Sequence, residues 1–294
     1  MLNSEIISTE MAAAGFDAWG VVEATELSDA KARFEMWLGE GGDYGLDYLR
    51  RNVDKRFDAR LLLPGARSII VGAVCYKNEQ SLSSDAPYGG RIASYAHSED
   101  YHTSLKEMFR QVAERLGITD RKSMKICVDS VPLAEKSLAV RAGIGWIGRN
   151  SLVVNPRFGS FMVFGELILT EECDHYSTPY ESDGCVGCGR CLLRCPTGAI
   201  SPNRTIRTAL CISNRTIEQG PSSEEFDTHG WYFGCEECQS CCPHNATSPL
   251  HTNPRFRPLY SPTLFDSNFR ANLTPERAES LFGTTPLMRK FKKW

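Results

Sequence analysis

The chain contains no apolar run long enough to cross a membrane. Its opening, Met1-Leu-Asn-Ser-Glu-Ile6, lacks the basic-then-apolar order of a secretory signal, so a cytoplasmic location is expected. Charge of one sign is scarce as well. A formal net charge of −3 excludes a protein held to nucleic acid by overall basicity. Basic residues are instead bunched, in Arg50-Arg51 with Lys55-Arg56, and in the terminal Arg289-Lys290-Phe-Lys292-Lys293-Trp294. Cysteine is the residue in surplus. Twelve in 294 residues, without a secretory signal, point to a reducing compartment where thiols serve metals rather than disulfides. A hydrophobic content of 41% and an aromatic content of 10% are ordinary for a globular chain. The length allows a large core and suggests two domains.

Nine of the twelve cysteines lie between Cys185 and Pro243. They begin as Cys185-Val-Gly-Cys188-Gly-Arg-Cys191-Leu-Leu-Arg-Cys195-Pro196, the spacing of bacterial ferredoxins. A glycine-rich loop lets three thiolates converge on one cubane, while the fourth, ahead of proline, opens toward a second cluster. Zinc is the plainer alternative, but its sites usually pair two separated Cys-x-x-Cys units. The second half reads Cys235-Glu-Glu-Cys238-Gln-Ser-Cys241-Cys242-Pro243-His244-Asn245, with Cys211 between the halves. Two crossed [4Fe–4S] clusters need eight thiolates. Cys185, Cys188, Cys191 and Cys242 form one set. Cys195 crosses to three of Cys211, Cys235, Cys238 and Cys241, which leaves one candidate too many. Spacing does not say whether Cys211 or Cys241 is spare. Paired clusters mean electrons delivered to some acceptor.

Apolar periodicity predicts the elements ahead of this region. A helix is expected over 4–14, a strand over 18–22, and a helix capped by Ser28 running to Leu38. A short amphipathic helix is expected over 44–57, and interior strands over 68–75 and 124–128, in which Cys75 and Cys127 act as small hydrophobes. Residues 77–90 read as a loop, 91–97 as a strand and 99–116 as a long helix. The helix opens with Asp100-Tyr-His102-Thr-Ser-Leu105, superficially like a cobalt-ligating Asp-x-His-x-x-Gly box. Leucine replaces the glycine there, so helix capping is the preferred reading and His102 is not expected to bind metal. Asp129 follows the strand at 124–128, where α/β sheets present functional groups, and Pro132 is expected to open the next helix, to about Ala142. Gly143-Ile-Gly145-Trp-Ile-Gly148 matches a phosphate-loop pattern but follows a helix, so a dinucleotide fold is not implied. Strands at 152–154 and 161–169 then lead into the cysteine region.

Several blocks together resemble the epoxyqueuosine reductase family. They are Val128-Asp129-Ser-Val-Pro132-Leu-Ala-Glu135, Ala142-Gly-Ile-Gly-Trp146-Ile-Gly-Arg-Asn150, Gly159-Ser160 with Gly165-Glu166, Cys195-Pro-Thr-Gly198-Ala199 and Cys211-Ile-Ser213-Asn-Arg-Thr216-Ile217-Glu218. The resemblance spans roughly residues 10–250. It implies an α/β (α+β) cobalamin-binding domain over 1–173, a ferredoxin-like two-cluster domain over 174–250, and a short extension over 251–294 with one helix at 275–282. It also implies reduction of epoxyqueuosine to queuosine in a tRNA anticodon loop, with electrons from a flavodoxin or ferredoxin system. Asp129 falls on the family's proton-donor position. Arg56, Asn150, Val153 and Phe164 fall in segments like those lining the corrin. The second cluster's ligands map to Cys195, Cys211, Cys235 and Cys238, leaving Cys241 spare. An acid pressed against a corrin is expected to have a raised pKa.

The chain departs from the family pattern in three places. Arg149 stands where a lysine is common, and His244 stands where Cys-Pro-Trp-Asn is usual, which puts aromatic packing at the cluster edge in question. The tail is shorter than the helical-repeat extension of longer members. Two other readings share features with this one: a reductive dehalogenase-like cobalamin enzyme, and a ferredoxin-type electron carrier without a corrin.

Overall fold

The structure, a computed structural model, describes residues 1–79, 81, 86–219 and 226–292. Lys293 and Trp294 of the basic terminus lie outside the described residues. The strands are β1 (Ala18–Glu23), β2 (Ser68–Cys75), β3 (Arg91–Ile92), β4 (Met124–Cys127), β5 (Trp146–Ile147), β6 (Val153–Val154), β7 (Met162–Leu169) and β8 (Trp231–Phe233). The helices of the first half are α1 (Ser4–Ala13), α2 (Ser28–Gly39), α3 (Val53–Phe57), α4 (Tyr101–Arg115) and α5 (Glu135–Arg141). Those of the second half are α6 (Arg190–Arg194), α7 (Glu237–Ser240), α8 (Pro243–Ala246), α9 (Ser267–Ala271), α10 (Pro275–Phe282) and α11 (Arg289–Lys292).

The main sheet has the order β1-β2-β7-β4, and every neighbouring pair in it is antiparallel. Strand β2 is buried along its whole length, as its unbroken apolar sequence requires of a central strand with both faces covered. Alternation of side chains divides it between two cores. Ile69, Val71, Ala73 and Cys75 face the layer of α2, α3 and α5, with Phe57, Leu138 and Ala139. Ile70 and Val74 face α1 and α4, with Ile7, Met11, Leu105, Phe109 and Val112. The result is a sheet between two helical layers.

Several expected boundaries shift for local reasons. Ser28 is inside α2 rather than capping it; Leu27 takes the cap position and gives no side-chain bond. The helix expected over 44–57 is broken into a 3-10 turn at Asp47–Leu49 and α3, because Asn52 adopts a left-handed φ of 58°. Of the strand expected over 91–97, only Arg91–Ile92 pairs, and Ser94–His97 coil into a 3-10 turn. Pro132 precedes α5 instead of opening it.

The N-terminal layers and the cysteine region are joined by a second, two-stranded sheet in which β3 runs parallel to β8. Arg91 lies over the Trp231 ring at 4.1 Å and pairs with Glu237 at 2.6 Å. The neighbouring Glu236 accepts bonds from the Ser94 backbone N and Oγ, both at 2.7 Å. The segment after residue 250 is more than the single helix expected. The helix expected at 275–282 is α10, capped by Thr274, but 3-10 turns, α9 and α11 accompany it. Phe265, Phe282 and Leu287 from this segment pack on Ile92 and Phe233, so it closes over the β3–β8 pair.

A candidate active-site cleft beside two thiol cradles

Asp129 lies two residues beyond β4, at the edge of the main sheet, in a left-handed conformation with φ of 48°. The sheet is antiparallel, so the rule for parallel α/β sheets does not explain its position. The first turns of α4 and α5 place its partners. Tyr101 Oη donates to Asp129 Oδ2 at 2.9 Å, and His102 Nε2 lies 3.0 Å from the same oxygen. The other imidazole nitrogen, Nδ1, lies 2.7 Å from Asp100 Oδ1, and Asp100 also caps α4 by accepting from the His102 backbone N. Glu135 Oε1 accepts from the Asp129 backbone N at 2.5 Å.

Asp129 is half exposed, with 48% of its side chain accessible. Its burial on the protein side raises the carboxyl pKa, but the bonds from His102 and Tyr101 outweigh this and hold it below the usual carboxylate value. The raised pKa expected for this acid is therefore absent. The proton resides on His102: burial works against its charge, yet Asp100 and Asp129 together push it up to about 9. Burial raises both Glu135 and Glu166, and the charge of Asp129 adds to each. Both Glu166 carboxyl oxygens are buried without a hydrogen-bond partner, so this side chain is neutral.

Arg56 reaches the same cleft. Its Nε is buried with no hydrogen-bond partner, and desolvation lowers its pKa despite Tyr48, Glu135 and Asp129 nearby. Arg289, from the C-terminal segment, pairs with Glu218 at 2.8 Å and adds to the field on Asp129. Other expected positions divide. Asn150 is buried, and its Nδ2 donates to Cys238 O at 3.5 Å. Phe164 is partly buried in the core layer of α5. Val153 is a core residue at 1% exposure, and its neighbour Leu152 takes the cavity wall instead.

The cysteines surround two hollows. Cys185, Cys188, Cys191, Cys238 and Cys242 line one of them, with Arg149 and Asn150. Cys195, Cys211, Cys235 and Cys238 line the other, an inner cavity of about 310 Å3 whose far wall is Tyr76, Tyr95, Asn150 and Leu152. Among the described residues, no three His, Cys, Asp or Glu side chains close on a point that would hold one metal ion. Burial and then Cys185 and Cys188 raise Cys242, whereas burial and then Cys211, Glu237 and Cys195 raise Cys235. Cys238 lines both hollows and, after burial, feels Cys235, Cys211, Cys191 and Cys195, so the two sets adjoin there. Cys241 lies beside Cys191 and Cys242 on the outer side, its thiol pushed up to about 11 by burial and these neighbours. His244, the departure from the tryptophan pattern, keeps an aromatic contact, edge-on to Trp146 at 5.0 Å.

The basic clusters are more committed than their sequence indicates. Arg50 forms a forked pair with Asp43, at 2.7 and 2.5 Å. Lys290 lies 5.2 Å from the Tyr232 ring centre and bonds Thr216 O at 3.4 Å.

The family model "epoxyqueuosine reductase QueG, DUF1730" matches residues 56–130, and a "4Fe-4S double cluster binding domain" matches residues 184–245. The epoxyqueuosine reductase of Cyclobacterium marinum is 35% identical, over 99% of this chain and 93% of its own length. The chain belongs to the epoxyqueuosine reductase family. The Escherichia coli epoxyqueuosine reductase is 32% identical over 86% of this chain and 68% of its own length. A crystal structure of an epoxyqueuosine reductase with an epoxyqueuosine-modified tRNA stem loop superposes with a TM-score of 0.84, at 27% identity, covering 96% of this chain and 76% of that one. A Bacillus subtilis epoxyqueuosine reductase superposes with a TM-score of 0.82, at 25% identity and the same coverage.

Within this epoxyqueuosine reductase family member, sequence reasoning missed Tyr101, His102 and Arg289. The box at Asp100–His102 was the available signal, and capping was correct for Asp100 but incomplete for His102. Among the described residues, no helix is long and apolar enough to cross a membrane.

Proposed function

We propose that the protein reduces epoxyqueuosine to queuosine in a tRNA anticodon loop, with Asp129 as the proton donor and cobalamin bound in the cleft between Asp129 and the inner thiol cavity. The observation that carries this is a hydrogen-bonded acid, Asp129, close enough to Arg56 to act on its charge, with the Arg56 Nε buried and unpartnered, within a chain of this family. The donor sets fit the groups required. Two gatherings of thiols whose crowding opposes ionisation suit cationic iron–sulfur cores, which neutralise the thiolates. Cys185, Cys188, Cys191 and Cys242 would hold one cluster, and Cys195, Cys211, Cys235 and Cys238 the other. The unpartnered Arg56 Nε suits a carboxamide oxygen of the kind that fringes a corrin, and Asn150, Phe164 and Leu152 would border the ring. Such a cofactor, fed single electrons through the clusters, supplies a reductant strong enough to break carbon–oxygen bonds.

Removing the epoxide oxygen as water takes two electrons and two protons. With Asp129 ionised at rest, the pair stores one of these protons, on His102, and the other comes from solvent at the half-exposed face of Asp129. The proton on His102 Nε2 passes to Asp129 Oδ2, and Asp129 gives it to the departing oxygen. Asp100 keeps the imidazole oriented through Nδ1, and the Tyr101 hydroxyl steadies the carboxylate between transfers. The substrate is external, so the half-exposed face of Asp129 is the side it meets. A cytoplasmic setting agrees with a tRNA substrate and reduced thiols.

The test is conversion of an epoxyqueuosine-bearing tRNA stem loop by protein reconstituted with iron, sulfide and cobalamin, read by nucleoside mass spectrometry. Queuosine should appear, and omitting cobalamin should abolish it. Conversion that is indifferent to cobalamin would sink the reading.

A further inference from the structure

Leu193 and Val186 are the aliphatic side chains most open to solvent in the cysteine region, at 90% and 79% exposure. Val186 follows Cys185, and Leu193 sits between Cys191 and Cys195 on α6. Arg190, Leu193 and Arg194 stand at helical spacing i, i+3 and i+4, so they share one face of α6. That face borders an open hollow of about 460 Å3, completed by Cys241, Cys242 and Pro243. Among the described residues, no acidic side chain lines it. Arg190 has no ionic or hydrogen-bonding partner among the described residues. Arg194 bonds Glu237 at 2.9 Å but keeps 63% of its side chain exposed, whereas Glu237 is 8% exposed and is also held by Arg91. The charge presented outward is therefore positive.

Cys242 lines this hollow and also the cradle of Cys185, Cys188 and Cys191. The face is thus the outer wall of one cradle, while the other cradle is turned inward toward Tyr76 and Tyr95. An exposed Leu193 beside two outward-facing cations at such a wall suits contact with a protein of opposite charge. Small, transient interfaces are typical of redox encounters, and complementary charge sets their rate.

We propose that Arg190, Leu193 and Arg194 form the docking site for an acidic one-electron carrier protein. The proposal rests on the reading that Cys185, Cys188, Cys191 and Cys242 hold a cluster. At each encounter the reduced carrier loses one electron and that cluster gains it. Two encounters supply the two electrons of one turnover, and no proton crosses this face. RNA fits the patch less well, because RNA recognition draws on aromatic stacking and runs of phosphate contacts, and no aromatic side chain lines the hollow.

The test uses the full chain reconstituted with iron and sulfide and, as the probe, an acidic flavodoxin. Binding is measured by calorimetry at low and moderate salt. Wild-type affinity should fall as salt rises. Arg190→Glu should weaken binding by about tenfold and flatten the salt dependence. Arg190→Lys should retain both, and Leu193→Ser should weaken binding without changing the salt dependence. Iron content and the electron paramagnetic resonance spectrum after dithionite reduction should match wild type in all three. Unchanged flavodoxin affinity in both Arg190→Glu and Leu193→Ser would overturn the proposal. So would an equal loss of tRNA stem-loop binding in those variants, which would assign the face to RNA. Wild-type protein that takes up no iron would instead sink the cluster reading itself.

Discussion

His102 Nε2 lies 3.0 Å from Asp129 Oδ2, and this contact decides which of the two carries the proton at rest. With Asp100 on the other imidazole nitrogen, the ring sits between two carboxylates and is cationic, so Asp129 is ionised until it is recharged. Asp129→Asn keeps the shape and both neighbours but cannot pass a proton. Single-turnover conversion of epoxyqueuosine stem loop should slow by about a hundredfold to ten-thousandfold, with cobalamin uptake unchanged. A rate within a few-fold of wild type would remove Asp129 from the chemistry.

His102→Gln should preserve the bond to Asp129 while removing the stored charge. The folded His102 pKa, about 9, lies above its ordinary 6.5. Its contribution to stability is therefore full below about pH 6.5 and is lost as pH rises through about 9. Wild type should lose melting temperature across that window more steeply than His102→Gln. Glu236, pushed up to about 7 by burial, titrates in both proteins; Glu135, which the charge of His102 holds down, shifts further up in the variant, so the difference curve reports His102 together with that response. Parallel curves would show that the imidazole carries no stabilising charge.

Cys211→Ala should cost about half of the bound iron, because one of two four-iron cores loses a ligand. Cys241→Ala should keep nearly all of it, since Cys241 lies on the outer side of the cradles. Iron quantitation with the two results exchanged would mean that the crossed ligand set is wrong.

Substituting Lys290, Lys292 and Lys293 by glutamine tests the terminal cluster as a tRNA-binding segment. For every phosphate that a lysine no longer neutralises, the slope of log affinity against log salt should fall by about 0.7 to 0.9. Lys290 already packs on Tyr232. A preserved slope accompanied by a lower melting temperature would therefore make this segment a structural clamp.

The elements with unbroken or strongly periodic apolar sequence were legible: β2, β7 and α4 lie within a few residues of their expected limits. Their covering layers follow from the same pattern. Asn52 defeated the helix expected over 44–57, because one left-handed residue is invisible to periodicity. The antiparallel sheet was hidden for another reason: strand direction depends on crossovers that no local signal reports. In the site, cysteine spacing marked the two thiol groups, and the spare thiol needed the family resemblance. Asp129 was singled out by its place after a strand and by the family resemblance, and the antiparallel sheet removes the rule behind the first. Its ionisation was not legible, since the bonds that lower its pKa come from a helix distant in sequence. Arg289 was marked only as part of the bunched basic terminus, and its effect on Asp129 depends on the packing of Phe282 and Leu287, which local sequence does not report.

The parallel pairing of β3 with β8 has a kinetic consequence. Residues 91 and 231 are distant in sequence, so this pair forms only after a long loop has closed. Cys235 and Cys238 follow β8 immediately, and Glu236 between them is fastened to Ser94. The inner thiol cavity therefore depends on a contact between distant parts of the chain: without the pairing of β3 with β8 and the Ser94–Glu236 bonds, Cys235 and Cys238 have no fixed place opposite Cys195 and Cys211.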